Sequence, residues 1–371
     1  MKITQVEPIV LQVPIDPPVQ TSFGRMDRRV AILVRVCSDE GLCGWGESWG
    51  NFPSWSPQER VRTLSDGVAP LLIGEDASEI AWLHQKLSRT LRPLGLQWGA
   101  PGPLWQAISA VDIALWDLKG QALGRPIYEL WGGSAQRLPV YASGLGPVAP
   151  ETLCAPFLER GVDAFKLKVG FGLEIDRANV SRLRGVVGDD AILLVDANQG
   201  LDFARALELA PTLHETGVDT IEEPFPVDEP ELIEPFRLRT GLKVAGGENL
   251  YGRTGFRRAL EGGSFDLVQP DVAKTGGLTE MYAICSLATA WGVPYAPHYL
   301  GGAVGFAASL HVLAAVPGGW RMEMDANPNP LLQELAGDLL DLEDGCLTPP
   351  RGPGLGLSLQ EGVIRRYRLS L

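Results

Sequence analysis

The run Ala164-Phe165-Lys166-Leu167-Lys168-Val169 decides the fold: it is a short, largely apolar stretch that carries ionisable side chains, Lys166 and Lys168, toward its end. The same figure recurs at Asp196, Glu222, Glu248, Asp271, His298 and Glu323, each closing an apolar run. Successive gaps are roughly 23 to 28 residues, about one strand, loop and helix repeated around a barrel. In such a barrel the C-terminal strand ends carry the reacting groups. One charge per repeat at the same height therefore reads as chemistry, and the chain reads as an enzyme.

Outward from that run, strand-like segments fall at 140–143, 164–169, 192–196, 220–222, 243–246, 267–269, 294–296 and 321–323. Amphipathic segments such as 174–187, 202–216 and 278–291 lie between them. Alternating β and α favours a parallel sheet, and eight strands favour closure. No glycine-rich dinucleotide fingerprint follows a strand, which weighs against an open doubly wound sheet. Residues 131–325 are thus expected to form an α/β domain, a TIM-like (β/α)7-8 barrel.

Residues 1–130 read differently. Segments 2–14, 29–37 and 42–49 suggest an antiparallel meander, with Asp39-Glu40-Gly41 as a turn. Helical patterning follows at 57–72, 76–91 and 103–122, giving an α+β unit. The tail, 326–371, breaks the repeat with Asn327-Pro328-Asn329-Pro330 and Thr348-Pro349-Pro350. It is expected to pack back on the N-terminal unit, with 362–369 as a further strand.

The chain has 371 residues, 45% hydrophobic and 21% charged, with net charge −13. That charge excludes a basic nucleic-acid footprint, and an anionic substrate would need local positive charge at its site. No apolar run approaches the roughly 20 residues needed to span a bilayer, and no secretory h-region opens the chain. The five cysteines (Cys37, Cys43, Cys154, Cys285, Cys346) show no CxxC spacing. They suggest reduced thiols in a cytoplasmic protein.

Asp196, Glu222 and Glu248 end three consecutive predicted strands. Three carboxylates at one rim repel unless a cation sits among them. Oxygen-only ligands point to Mg²⁺, with Mn²⁺ also suitable, and away from zinc. Glu223 is the rival to Glu222, because neighbours on a strand point to opposite faces. Asn198 shares the face of Asp196 if the extended run continues.

Lys166 and Lys168 alternate around Leu167, so both ammonium groups point into the barrel mouth. Two adjacent like charges disfavour protonation of one of them, a route to a neutral lysine that can accept a proton. On the other side, Asp271 beside His298 would orient the imidazole and raise its basicity. Lys274 is a competing base. Glu323 could donate a hydrogen bond to a substrate oxygen if it is held protonated.

Taken together, Lys166-Leu167-Lys168, Asp196-Ala197-Asn198, Ile221-Glu222-Glu223-Pro224, Gly247-Glu248-Asn249, Pro270-Asp271 through Lys274-Thr275-Gly276-Gly277 and Pro297-His298 resemble the enolase superfamily, mandelate racemase subgroup. The segment from Ala110 to Gly120, followed by Leu130-Trp131-Gly132-Gly133, is similar to that family's junction between cap and barrel. The resemblance spans essentially the whole chain. It implies an α+β N-terminal capping domain on a modified barrel, with Mg²⁺ held by Asp196, Glu222 and Glu248. It also implies Lys168 as base on one face of the substrate and the Asp271–His298 dyad as acid/base on the other. Lys166 would lie near the substrate carboxylate, and Glu323 would steady the enolate oxygen. A homo-oligomer, dimer or octamer, is implied as well.

The shared step implied is removal of the α-proton of a small carboxylate, and its outcome is open at the level of sequence. Acid-sugar dehydratases are numerous in the subgroup, so dehydration is favoured. Racemisation or epimerisation of an α-hydroxy acid comes next. A muconate-lactonising or dipeptide-epimerase branch, using Lys274, is a third reading. A non-catalytic acid-binding protein is the alternative of a different class. Specificity is expected from two loops, 19–28 with Ser22, Phe23, Arg25 and Met26, and 46–57 with Trp49, Asn51, Phe52 and Trp55.

Overall fold

A computed structural model describes all 371 residues. It opens with three strands, β1 (Ile3–Thr21), β2 (Gly24–Ser38) and β3 (Cys43–Ser48), paired antiparallel in the order β1-β2-β3. Alternation sorts the strand side chains between two cores. Val10, Val30, Ile32, Val34 and Val36 face the cap helices. Ile9, Leu11, Val13, Ala31 and Leu33 belong to the barrel-side core. The meander is buried on both faces, which is why Val30-Ala31-Ile32-Leu33-Val34 reads as an unbroken apolar run.

The helix expected at 57–72 is present as Ser56–Arg62 and Ala69–Leu72, joined by a wider π turn at Thr63–Val68. The next helix runs Ile80–Trp98, later and longer than the periodicity suggests. Pro101–Leu123 follows, with most of its length buried. Gly44 and Gly46 let it lie directly on β3, since a Cβ at Gly46 would sit 1.7 Å from the Ala110 carbonyl oxygen. That is far inside van der Waals contact.

Two carboxylates of this helix pin the cap to the rest. Asp112 accepts from the Thr279 backbone N–H at 2.8 Å, in the first turn of the helix Gly277–Ala290. Such an acidic side chain satisfies one of the N–H groups a helix start leaves open. Asp117 accepts from Trp45 N, Leu355 N and Gln121 Nε2 at 2.8 to 3.0 Å, tying meander, tail and helix together. Glu47 of β3 does the same for the helix Ala303–Ala315, accepting from Gly302 N and Gly305 N.

The second sheet is parallel in the order β10-β4-β5-β6-β7-β8-β9. Its strands are β4 (Leu138–Leu145), β5 (Ala164–Lys168), β6 (Ile192–Asp196), β7 (Thr220–Glu222), β8 (Lys243–Gly246), β9 (Leu267–Val268) and β10 (Met322–Asp325). Helices alternate with most of them. The strand expected at 294–296 is only a pair of bridges, Tyr295 with Val268 and with Gly319. Pro294 and Pro297 flank Tyr295 and supply no N–H, so a ladder cannot propagate there. Inside, Tyr141, Ala164, Leu194, Ala245, Leu267 and Ala296 form one cluster.

Two expectations need correction. The segment 362–369 is no strand: Glu361–Tyr367 is a helix, after which Leu369 N donates to Val10 O of β1 at 2.8 Å. The tail also gives β11 (Cys346–Leu347), antiparallel to β4, so it touches both units. The second correction concerns the thiols. Cys37 and Cys43 are register partners across β2 and β3 and are joined as a disulfide. Hairpin pairing brings them together, which sequence separation alone did not announce; Cys154, Cys285 and Cys346 are free. No helix is long and apolar enough to cross a membrane.

Candidate active site

Register builds the site. Lys168 of β5 pairs with Asp196 of β6, and Asp196 with Glu222 of β7, so three ionisable side chains stand in one row across adjacent strands. Lys166 lies two residues back on the same face. Glu248 lies just past β8, Asp271 past β9, His298 after the Tyr295 bridge, and Glu323 within β10. All eight are buried, none more than 8% exposed.

Burial at this density forces pairing. Lys166 Nζ lies 2.6 Å from Glu222 Oε2 and 2.6 Å from Glu323 Oε1. Lys168 Nζ donates to Asp196 Oδ2 at 2.5 Å and to Asn198 Oδ1 at 2.8 Å. His298 Nδ1 lies 2.8 Å from Asp271 Oδ2, and its Nε2 bonds Glu248. The Tyr299 backbone N–H donates to Glu323 Oε2 at 2.8 Å.

These partners correct two electrostatic expectations. Neither lysine is neutral. Burial is the largest influence on Lys168 and opposes its charge, as does the neighbouring Lys166, but Asp196, Glu222 and Glu248 together outweigh them and hold its pKa above the usual value. Burial likewise opposes Lys166, and Glu222 and Glu323 raise it well above normal. Glu323 is not held protonated: burial favours the neutral acid, but Lys166 and His298 prevail and bring it down to about 2. It accepts hydrogen bonds here. His298 is raised to about 10, since Glu248, Glu323 and Asp271 together overcome its burial.

Glu223 departs from strand alternation. Its φ is +37°, so the chain turns there, and the carboxylate stays at the mouth with 5% exposure. It accepts from Gln199 Nε2 at 3.0 Å and Asn249 Nδ2 at 2.9 Å, and burial beside Glu248 raises it to about 8. Lys274 is buried too, with its Nζ 4.3 Å from the centre of the Trp49 ring and 3.9 Å from Glu248.

The donors fit a hard divalent cation. They are all carboxylate oxygens, and Glu222 Oε1 is buried with no hydrogen-bond partner. Burial and the neighbouring Asp196 push Glu222 up to about 7, a crowding that a cation would relieve. The carboxylates do not form a ready-made cage of three ligands; each is drawn to a cation of the chain itself.

Two cavities open on these groups. One of about 50 Å³ is lined by Lys168, Asn198, Glu248 and His298, under Phe23 and Phe52. The other, about 560 Å³, runs between Glu223, Lys274 and Tyr251 and the aromatic side chains Trp49, Trp55 and Trp98. Both expected specificity loops contribute, but not through every residue named from them. Ser22 is an anchor, donating to the Ala197 and Asn198 carbonyls. Asn51 bonds the Val30 N–H and the Leu300 carbonyl, and Arg25 is exposed.

The repeat did not single out Gln269, which is fully buried and donates from Nε2 to Glu222 Oε2 at 2.6 Å. Its signal was a polar residue closing the apolar run Leu267-Val268. Asn249 stood only as part of the Gly247-Glu248-Asn249 motif, with no role of its own, and Tyr141, whose ring centre lies 5.2 Å from Lys166 Nζ, was unmarked.

Comparison with known proteins agrees with this architecture. Residues 4–132 match the model of the mandelate racemase / muconate lactonizing enzyme N-terminal domain, and residues 151–363 match that of the enolase C-terminal domain-like family. The chain is 34% identical to D-galactarolactone cycloisomerase of Agrobacterium fabrum, covering 100% of this chain and 99% of that one. It is 32% identical to arabinonate dehydratase of Saccharolobus solfataricus, over 91% and 90% of the two. Among solved structures, an enolase from Bradyrhizobium complexed with magnesium and mandelic acid superposes with a TM-score of 0.87 at 30% identity, over 100% and 99%. With both halves matched and the barrel-mouth charges in the same chain, this protein belongs to the mandelate racemase / muconate lactonizing enzyme family of the enolase superfamily.

Proposed function

We propose that this chain is a Mg²⁺-dependent lyase that removes the α-proton of an acid sugar and expels its β-hydroxyl. The observation that carries the reading is that Lys168 and His298 line one small cavity beside Glu248. Asp196, Glu222 and Glu248 would hold the cation, which when bound would offset negative charge developing on the substrate carboxylate. Mn²⁺ suits the same oxygens.

Lys168 is the base in this reading: a cation held by Asp196 would weaken the ion pair that keeps the lysine protonated, so that the neutral amine could accept the α-proton. Asp271 at Nδ1 fixes the imidazole with Nε2 on Glu248 at the cavity wall; with Glu248 drawn to a cation, Nε2 would be released to protonate the departing hydroxyl. Lys166 supplies positive charge beside Glu222 and Glu323, which an anionic substrate needs in a chain of net charge −13. Glu323, as an acceptor, orients Lys166 and the Tyr299 backbone. The names of the relatives support the substrate class: an arabinonate dehydratase and a galactarolactone cycloisomerase both act on sugar acids or their lactones.

A second reading follows from the same pair of proton carriers. Two such groups on one cavity would also serve a racemase or epimerase, and the aromatic wall of the larger cavity would suit an apolar substituent. Incubating the protein with Mg²⁺ and a panel of mono- and diacid sugars in D₂O separates the two. Formation of 2-keto acid supports the lyase. Label entering the α-carbon of both stereoisomers without keto acid supports the racemase. A cytoplasmic location and a homo-oligomer belong to the proposal. Sedimentation showing only a 40.0 kDa species would rule the oligomer out.

A further inference from the structure

The two oxygens of Glu222 have different surroundings. Oε2 accepts from Lys166 Nζ at 2.6 Å and from Gln269 Nε2 at 2.6 Å. Oε1 belongs to the same fully buried side chain and has no hydrogen-bond partner. One oxygen is therefore held by two donors, and the other is left free.

Register explains how Gln269 reaches across a strand. Glu222 pairs with Ala245 of β8, and Ala245 pairs with Leu267 of β9. Gln269 lies two residues beyond Leu267, on the same inward side and one step nearer the mouth. The residue between Glu222 and β9 in the sheet is Ala245, whose side chain is only a methyl group, and the amide reaches past it. An ionised carboxylate only accepts, so the amide must turn its NH₂ toward it. Filling space alone would call for a hydrocarbon, because an amide buried without hydrogen bonds is costly.

We propose that Gln269 is a positioning residue: together with Lys166 it ties down Oε2 of Glu222, so that Oε1 alone is presented to the divalent cation. The inference rests on Glu222 being a ligand of the proposed Mg²⁺ site. Gln269 itself touches neither cation nor substrate. It acts by removing the rotation of the Glu222 carboxylate, as outer partners of metal ligands generally do.

The test is Mn²⁺ binding to the full chain, read from the electron paramagnetic resonance signal of free Mn²⁺, with no turnover involved. Wild type, Gln269→Met, Glu222→Gln and the double variant are compared. Gln269→Met keeps the volume and removes the donor; it should weaken Mn²⁺ binding about tenfold or more. Added to Glu222→Gln it should cost less than about twofold further, because both changes act through one carboxylate. If the methionine variant does not fold, Gln269→Asn, whose amide is too short to reach, is measured in the same way. Wild-type affinity in a folded Gln269 variant, or a fully additive loss in the double variant, would overturn the positioning role alone. Unchanged binding in Glu222→Gln would instead remove the ligand assignment, and this inference with it.

Discussion

Lys168 and Asp196 are register partners on adjacent parallel strands, and their side chains meet at 2.5 Å. A candidate base and a candidate metal ligand thus hold each other. A cation bound by Asp196 would draw the carboxylate's charge away and loosen the lysine. In the proposed mechanism, metal binding and readiness of the base would be coupled through that one contact.

Glu222→Gln should weaken Mg²⁺ binding and turnover together, each by about tenfold or more, since a neutral amide is a poorer ligand for a hard cation. Isothermal titration with Mg²⁺ alongside initial rates measures both. Wild-type turnover at low Mg²⁺ would remove Glu222 from the ligand set.

His298→Asn should abolish keto-acid formation yet retain exchange of the α-proton in D₂O, because Lys168 remains. Lys168→Ala should lose the exchange itself, by roughly 10²- to 10⁴-fold. Proton magnetic resonance of the substrate α-position follows both. If both variants exchange at the wild-type rate, neither residue moves that proton, and Lys274, beside Trp49 and Glu248, becomes the next base to test.

Asp117→Ala should destabilise the fold by about 3 kcal/mol, as it strands the backbone N–H groups of Trp45 and Leu355. Denaturant unfolding measures the loss. Activity per folded molecule should stay near wild type, because Asp117 lies on the cap helix and outside both cavities.

His311 gives stability a pH dependence. Burial against Tyr128 pushes it down to about 4 from an ordinary 6.5. The unfolded chain takes up that proton as pH falls through about 6.5, and the folded one resists until about 4. Stability is therefore lost progressively across that window, by about 3 kcal/mol in full. Asp112 and Asp117, raised to about 6 by burial, work in the opposite direction between about 4 and 6. The difference between wild type and His311→Asn isolates the histidine: thermal melts from pH 7 to 4 should converge as pH falls. Parallel curves would show that His311 does not titrate in that window.

The regular return of an ionisable residue to the end of each apolar run was legible because it follows from chain-local rules. Strand alternation places Lys166 and Lys168 on one face, and the repeat length places Asp196 and Glu222 at one height. Where the local rule broke, the reading broke. Two prolines reduce 294–296 to bridges, and a positive φ returns Glu223 to the mouth.

What the sequence by itself determined is which chemical groups stand at the strand ends, since period and alternation depend only on the backbone repeat. Who pairs with whom was decided by the tertiary structure alone. Lys166 lies between Glu222 and Glu323, Gln269 reaches over Ala245, Cys37 meets Cys43, and Asp117 holds a tail residue more than 200 positions away. Charge states follow those pairings. In a buried site the sign of a pKa shift depends on which neighbour is nearest, so lysines that read as mutually neutralising are instead held charged by carboxylates from other strands.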